Sequence, residues 1–442
     1  MRTISISFFV VAIISLTSQY SSGQCTPFYV FTGDFFGDQF GVSVSSAGDV
    51  NNDGYDDVII GAMLNDAAGT QAGRAYVFSG QTGDTIYVFS GEAIDDFFGV
   101  SVSSAGDVNN DGYGDLIIGA FRNDAGGAHA GRAYVFSGQT GDTIYVFTGE
   151  DNFSSLGISV SSAGDVDSDG YDDVIVGAHG YGDAEGRAYI FSGQTGDTLY
   201  VYTGEAASDQ LGVSVSSAGD VDNYGYDDFI IGANRNDAGG SNAGRAYVFS
   251  GKTGDTIHVF TGEAAEDFFG VSVSSAGDVN NDGYDDIIIG ANKNDYGGTD
   301  AGRAYLFSGQ TGDTLYVFNG EADDRFGTSV SSAGDVDSNG NYDLIIGANL
   351  NDSGGPSAGA AYVFTDCVLS CCVGDRGDLN GDGTDANILD LTFAVDRIFR
   401  GGSASNCSEE ADINADGTPH NILDLTFLVD RIFRGGPPPG PC

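Results

Sequence analysis

Basic side chains are scarce in this chain: 16 lysines and arginines stand against 64 aspartates and glutamates, a formal net charge of −48 over 442 residues. A field of that sign repels nucleic acid and anionic membrane surfaces, and no basic patch interrupts it. Tryptophan is absent, and four of the seven prolines fall after residue 436. The four histidines (His129, His179, His258, His420) lie in unrelated contexts, so neither a histidine metal cluster nor a base–nucleophile spacing is present. Long apolar runs are missing as well. The longest, Ile6 to Leu16, is too short to cross a bilayer, so no membrane span is expected. Between residues 26 and 366 no segment carries an extended apolar pattern at helical spacing, which excludes helices there.

What is present makes disorder a poor reading of the acidity. Hydrophobic residues are 41% and aromatic residues 12% of the chain, set in short regular runs. Glycine, 70 residues without a three-residue period, points to many tight turns and not to collagen. Residues 1–23, with Arg2, the apolar run and then Ser21-Ser22-Gly23, read as a secretory signal peptide. The mature protein is therefore expected outside the cytoplasm, secreted or at a cell surface, where calcium is abundant and disulfides persist.

One stretch organises the remainder. Ser43-Val44-Ser45-Ser46-Ala47-Gly48-Asp49 leads through an acidic loop to Val58-Ile59-Ile60-Gly61-Ala62, and the pattern recurs five more times at intervals of 55 to 58 residues. Each copy supplies four short apolar segments separated by glycine-rich turns, which describes a propeller blade. The fold class expected is all-β: a six-bladed β-propeller over residues 25–367. The sixth copy stops after its third strand at Phe364, whereas Phe28-Tyr29-Val30-Phe31 matches a fourth strand, so the N-terminal strand is expected to close the ring. If Val30 lies opposite Val363, Cys25 comes within reach of Cys367, and a disulfide is predicted there, although six cysteines allow 15 pairings.

The loops follow D-x-[DN]-x-x-G-x-x-D, with Tyr224 at the fifth position of the fourth copy and Asn339 at that of the sixth. Oxygen ligands at that spacing suit calcium, which takes six to eight of them in a flexible polyhedron. The ligand sets are Asp49, Asn51, Asp53, the Tyr55 carbonyl and Asp57; Asp107, Asn109, Asp111, Tyr113 and Asp115; and Asp165, Asp167, Asp169, Tyr171 and Asp173. The fifth and sixth are Asp278, Asn280, Asp282, Tyr284 and Asp286, then Asp335, Asp337, Asn339, Asn341 and Asp343. In the fourth only Asp220, Asp222 and Asp228 remain, because Tyr224 stands where a ligand belongs, and that site is expected to be the weakest or empty. An isolated match of this kind is often an Asx-rich turn, but six copies, each running into an apolar strand, are not. Arginines 74, 132, 187, 245 and 303 recur at the start of the third strand, where pairing with nearby acidic loops is expected rather than a ligand-binding ring.

Phe40-Gly41 with Gly61-Ala62, Phe98-Gly99 with Gly119-Ala120, and Phe269-Gly270 with Gly290-Ala291 give the unit its resemblance to the FG-GAP repeat of integrin alpha-subunit propellers. Copies three and four have Leu156-Gly157 and Leu211-Gly212 at the first position. The resemblance implies a calcium-bearing propeller that binds a protein or a cell surface. Integrin propellers have seven blades, so seven is the alternative count.

After a linker at 368–377 the composition changes. Two shorter units carry Asp378, Asn380, Asp382, Thr384 and Asp390, then Asp412, Asn414, Asp416, Thr418 and Asp424. Each runs into apolar residues at helical spacing, such as Leu391, Val395 and Ile398, so residues 378–436 are expected to form a small two-helix calcium-loop module, followed by a proline-rich tail at 437–442. This segment resembles a type I dockerin, although both loops hold one residue more than usual, and the resemblance implies a cohesin-like protein partner. No catalytic constellation is present, since every prominent carboxylate pair is claimed by a loop. The sequence therefore predicts a secreted calcium-binding scaffold for a cell-surface protein or glycan. The alternative is an enzyme or carbohydrate-binding component of an extracellular polysaccharide-degrading assembly.

Overall fold

A computed structural model of the chain describes residues 29–34, 37–336 and 340–365. The chain divides into two units, Met1–Thr32 and Gly33–Cys442. Of the first, Tyr29–Thr32 are described and belong to no strand. The described residues of the second form 23 strands in six consecutive antiparallel sheets.

The first sheet is β1 (Phe40–Gly48), β2 (Asp57–Ala62), β3 (Arg74–Phe78) and β4 (Thr85–Ser90). The second is β5 (Val102–Gly106), β6 (Asp115–Ala120), β7 (Arg132–Phe136) and β8 (Thr143–Thr148). Next come β9 (Ser159–Gly164), β10 (Asp173–Ala178), β11 (Arg187–Phe191) and β12 (Thr198–Thr203). The fourth is β13 (Ser214–Gly219), β14 (Asp228–Ala233), β15 (Arg245–Phe249) and β16 (Thr256–Thr261); the fifth is β17 (Phe269–Gly277), β18 (Asp286–Ala291), β19 (Arg303–Phe307) and β20 (Thr314–Asn319). The sixth has three strands, β21 (Phe326–Gly334), β22 (Asp343–Ala348) and β23 (Ala360–Phe364). Each sheet is a simple meander in which every strand pairs with its sequence neighbour.

The second strand of each sheet is the most buried, and its sequence shows why. Leu116, Ile117 and Ile118 in β6 are all inaccessible because a sheet lies against each face, so the strand reads as an unbroken apolar run instead of alternating. Between sheets the aromatic residue near the end of the fourth strand packs on the last aromatic residue of the next third strand: Phe89 on Phe136 at 4.2 Å, Phe147 on Phe191 at 3.8 Å, Tyr202 on Phe249 at 3.9 Å and Phe260 on Phe307 at 4.1 Å. The repeated aromatics thus pack ring against ring between sheets, stacked in three of these pairs and tilted in the pair of Tyr202 and Phe249. Two glycines of the repeat meet at each junction as well. A Cβ on Gly61 would run into the Gly99 carbonyl, and the same holds for Gly119 with Gly157, Gly177 with Gly212, Gly232 with Gly270 and Gly290 with Gly327.

The ring is not closed, which corrects the expected architecture. Packing runs from each sheet to the next, and among the described residues no comparable contact joins the sixth sheet to the first. No fourth strand completes the sixth sheet, and Val30 is exposed and irregular. Six sheets in propeller-like succession were legible from the repeat. Closure was not, because similarity between strands specifies the kind of contact, whereas the angle between successive sheets decides whether the last returns to the first.

The Cys25–Cys367 disulfide loses its premise with that strand pairing. No disulfide is found among the described residues, and both cysteines lie outside them. The expected two-helix module is not part of the described fold either. The helical content of the described residues is one turn, α1 (Tyr181–Ala184), and residues 1–23 and 366–442 lie outside them, with Asp378, Asn380, Asp382, Thr384, Asp390, Asp412, Asn414, Asp416, Thr418 and Asp424. No helix of the described residues is long and apolar enough to cross a membrane.

Candidate metal centre

Every acidic loop is the hairpin connection between the first and second strands of its sheet, so all six occupy the same position in their sheets. In the first loop Gly48 pairs with Asp57 just after a register shift, and that irregularity lets eight residues bulge out between paired strands. The loop then folds over its own carboxylates. Asp53 N–H donates to Asp49 Oδ1 at 3.0 Å and Gly54 N–H to Asp49 Oδ2 at 2.8 Å, while Tyr55 N–H donates to Asp53 Oδ1 at 3.0 Å. The same bonds recur around Asp107, Asp165 and Asp278.

The closing aspartate is held differently. Val50 N–H donates to Asp57 Oδ2 at 3.1 Å, and Gly80 N–H, from the turn between the third and fourth strands, donates to Asp57 Oδ1 at 2.9 Å. Gly138, Gly193, Gly251 and Gly309 do the same for Asp115, Asp173, Asp228 and Asp286. These carboxylates begin the most buried strand and are 0–1% exposed. Burial pushes Asp115, Asp173, Asp228 and Asp286 up to about 7, with the neighbouring loop aspartates raising them further and the backbone donors opposing. Asp57 is raised for the same reason. A carboxylate so placed lacks a positive partner, and a cation would supply one.

Two observations bear on whether a hard cation fits. Asp165, Asp167 and Asp173 bring carboxylate oxygens within 4.8 Å of one another, as do Asp220, Asp222 and Asp228. In two of the three loops with asparagine at the third position, Asn51 Oδ1 and Asn109 Oδ1 are buried with no hydrogen-bond partner, although each amide nitrogen lies 3.5 Å from the closing aspartate; in the other, Asn280 Oδ1 accepts from Asp282 N–H at 2.9 Å. Asp343 Oδ1 is orphaned in the same way. Buried acceptors without donors are costly unless something else meets them. An all-oxygen donor set is the chemistry calcium uses, so the residues fit that ion.

Of the predicted ligand sets, carboxylate oxygens converge in the third, while the first, second and fifth loops fold around Asp49, Asp107 and Asp278 by the same backbone hydrogen bonds; Asp337 and Asn339 lie outside the described residues. In the fourth loop Tyr224 is exposed, yet Asp220, Asp222 and Asp228 converge, and Lys252 Nζ sits 4.9 Å from the Tyr224 ring. The loop that lost a ligand has thus gained a nearby cation.

The sheet edge at the other end of β2 and its equivalents is chemically distinct. Arg132, Arg187, Arg245 and Arg303 pair there with Glu92, Glu150, Glu205 and Glu263 at 2.8 to 3.0 Å, the glutamates following the fourth strand of the preceding sheet. This corrects the expected pairing with acidic loops, because the third strand starts at the end of the sheet away from them. Arg122 lies over Phe97 at 4.6 Å and Lys293 over Phe268 at 4.6 Å at the same end, gathering several of the chain's few cations with aromatic rings. His179 is half-buried, and desolvation lowers its pKa; among the described residues the histidines form no cluster.

Sequence reasoning missed a buried Asp–Asn pair: Asn123 Nδ2 donates to Asp96 at 3.0 Å, and Asn65 with Asp38, Asn236 with Asp209, Asn294 with Asp267 and Asn351 with Asp324 do likewise. The signal was available, since the third copy loses both partners together, with Ser154 in place of the aspartate and a shortened loop where the asparagine would be.

Residues 40–78, 98–136, 156–191 and 269–307 match the FG-GAP repeat, and residues 315–364 match a second form of that repeat. The chain is 34% identical over 221 residues to integrin alpha-5 of Xenopus laevis, covering 44% of this chain and 20% of that protein. Similarity to integrin alpha-V of Gallus gallus is 31% over 212 residues (44% and 20%), and to integrin alpha-PS2 of Drosophila melanogaster 31% over 222 residues (45% and 16%). The chain thus carries an integrin-alpha-like array of FG-GAP repeats that spans about a fifth of the length of these relatives. Nothing in these likenesses supports a dockerin-like segment at 378–436.

Proposed function

We propose that this protein is a secreted scaffold whose acidic loops bind calcium and whose opposite end binds a protein or cell-surface partner. The observation that carries the reading is the set of buried closing carboxylates without a cationic partner: Asp115 beside the orphaned Asn109 oxygen, Asp173 and Asp228 among convergent carboxylates, and Asp286 buried in the same way. Calcium would neutralise them and fix the hairpins that share each sheet with the partner-facing loops. Likeness to integrin alpha chains supports a binding role, and the end that carries Arg122, Phe97, Lys293 and Phe268 offers cationic and aromatic contacts suited to a polar partner. Anchoring through residues 378–436 to a cohesin-like protein is supported by the sequence resemblance alone.

The test couples calorimetry to adhesion. The secreted protein should take up calcium, unfold at a lower temperature in EGTA, and hold coated beads to a cell surface only with calcium present. No uptake and no change in unfolding temperature would overturn the scaffold reading. Retention on a glycan array together with glycoside cleavage would favour the polysaccharide-degrading alternative.

A further inference from the structure

Between the seventh residue of each loop, a tyrosine in five and Asn341 in the sixth, and the closing aspartate stands one residue that no ligand set uses: Asp56, Gly114, Asp172, Asp227, Asp285 and Tyr342. In three of them the side chain reaches the preceding sheet. Asp107 N–H donates to Asp172 Oδ2 at 2.7 Å, Asp165 N–H to Asp227 Oδ2 at 3.1 Å, and Asp220 N–H to Asp285 Oδ2 at 2.9 Å. Asp107, Asp165 and Asp220 are the first ligands of their loops, the ones around which each loop folds. Backbone bonds return the contact, from Asp172 N–H to the Asp107 carbonyl and from Asp285 N–H to the Asp220 carbonyl, each at 3.3 Å.

The seat for these carboxylates is shaped by glycine. Gly106, Gly164 and Gly219 precede the first ligands with φ of 76°, 72° and 72°, and a Cβ on any of them would collide with Asp172, Asp227 or Asp285. A second connection runs in parallel. Tyr145 OH donates to the Gly193 carbonyl at 2.9 Å while Gly193 N–H holds the closing ligand Asp173, and Tyr200 reaches Gly251 beside Asp228 in the same way at 3.0 Å.

The two outer junctions lack the aspartate link, although Tyr87 OH donates to the Gly138 carbonyl beside Asp115 at 2.9 Å across the first, and Asn281 Nδ2 donates to Asn341 Oδ1 at 3.0 Å across the last. Gly114 offers only its backbone N–H to the Asp49 carbonyl, and at the last junction the Tyr342 ring covers Gly277 instead.

We propose that Asp172, Asp227 and Asp285 are positioning residues that join the cation loops of the second to fifth sheets into one cooperative unit. The proposal rests on the reading that these loops bind calcium. Ordering the closing ligand of one loop places the aspartate beside it, and that aspartate fixes the first ligand of the loop before. The first ion bound in the unit therefore orders backbone that the next ion needs, which is positive cooperativity without any change of fold. Coupling of this type is worth about 5- to 150-fold in affinity.

The experiment is a calcium titration of the full chain against a competing chelator in 0.15 M salt, where ion–ion repulsion beyond about 8 Å is screened. Wild type should bind with a Hill coefficient above one. Asp227→Ala cuts the unit in half and should flatten the curve while leaving the number of ions bound unchanged, and Asp227→Asn, which keeps an acceptor oxygen, should restore it. Asp56→Ala is the matched control, since Asp56 is exposed and has no preceding sheet to reach, and its curve should equal wild type. Asp172→Ala and Asp285→Ala repeat the test at the other junctions should Asp227→Ala fail to fold. Non-cooperative uptake by wild type, or the same curve for the alanine variants and Asp56→Ala, overturns the coupling while leaving calcium binding intact. Absence of any uptake overturns both.

Discussion

The four interior sheets and the two at the ends of the array are written in nearly the same residues but stand in different surroundings. Val102, Val160, Val215, Val273 and Val330 are 4–7% exposed beneath the preceding sheet, whereas Val44 at the same position in the first sheet is 63% exposed. At the other end Val363 is 51% exposed, while Val77, Val135, Ile190, Val248 and Leu306 are fully buried. The closing carboxylates pushed up to about 7 are those of the four interior sheets. Burial in this array is a property of the junction and not of the sheet: a neighbour supplies it, as in other stacked repeats. The same neighbour makes an interior carboxylate hard to ionise without a cation.

The largest expected effect follows from those four interior carboxyls. With calcium removed, the folded chain keeps their protons up to about pH 7, whereas the unfolded chain releases them near 4. The folded state then holds more protons between those limits. Its stability is greatest at the acidic side and falls as pH rises through 7, by up to about 1.4 kcal/mol per pH unit for each group. Urea unfolding in EGTA from pH 5 to 8 should show that slope, Asp173→Asn should reduce it, and calcium should flatten it. A flat profile in EGTA would erase the electrostatic half of the comparison.

A smaller effect separates interior from end by packing alone. Val248→Ala removes two methyl groups from a filled junction and should cost about 2 kcal/mol, whereas Val363→Ala at the exposed counterpart should change stability by less than about 0.5 kcal/mol. Equal losses in calcium-loaded protein would mean that the end sheet is covered in solution. The smallest effect concerns the arginine row, which ends in Ala360. Ala360→Arg would place a guanidinium where Glu321 can pair with it, as Arg303 pairs with Glu263, and should add no more than about 1 kcal/mol, shrinking further in high salt.

Much of this was legible in the chain. The β2-type strands announced themselves as Val-Ile-Ile runs, and the ligand spacing marked the hairpins that fold around Asp49 and its equivalents. The arginines were harder, because their partners Glu92, Glu150, Glu205 and Glu263 lie 37 to 40 residues away and across a junction. Asp172, Asp227 and Asp285 were overlooked for the same reason. As the first of two adjacent aspartates each looked like spare charge beside a ligand, and only the position of the preceding sheet gives it an acceptor's task.

By itself the sequence determined the local rules: strand length, the acidic hairpins and the residue types that make one sheet fit the next, all of them set by interactions within a single repeat or between identical neighbours. Tertiary structure alone decided that the succession of sheets stays open, which carboxylates are cut off from water, and which loops are tied to each other. Those outcomes depend on the angle and depth at which whole sheets meet, and a repeating sequence carries no separate signal for them.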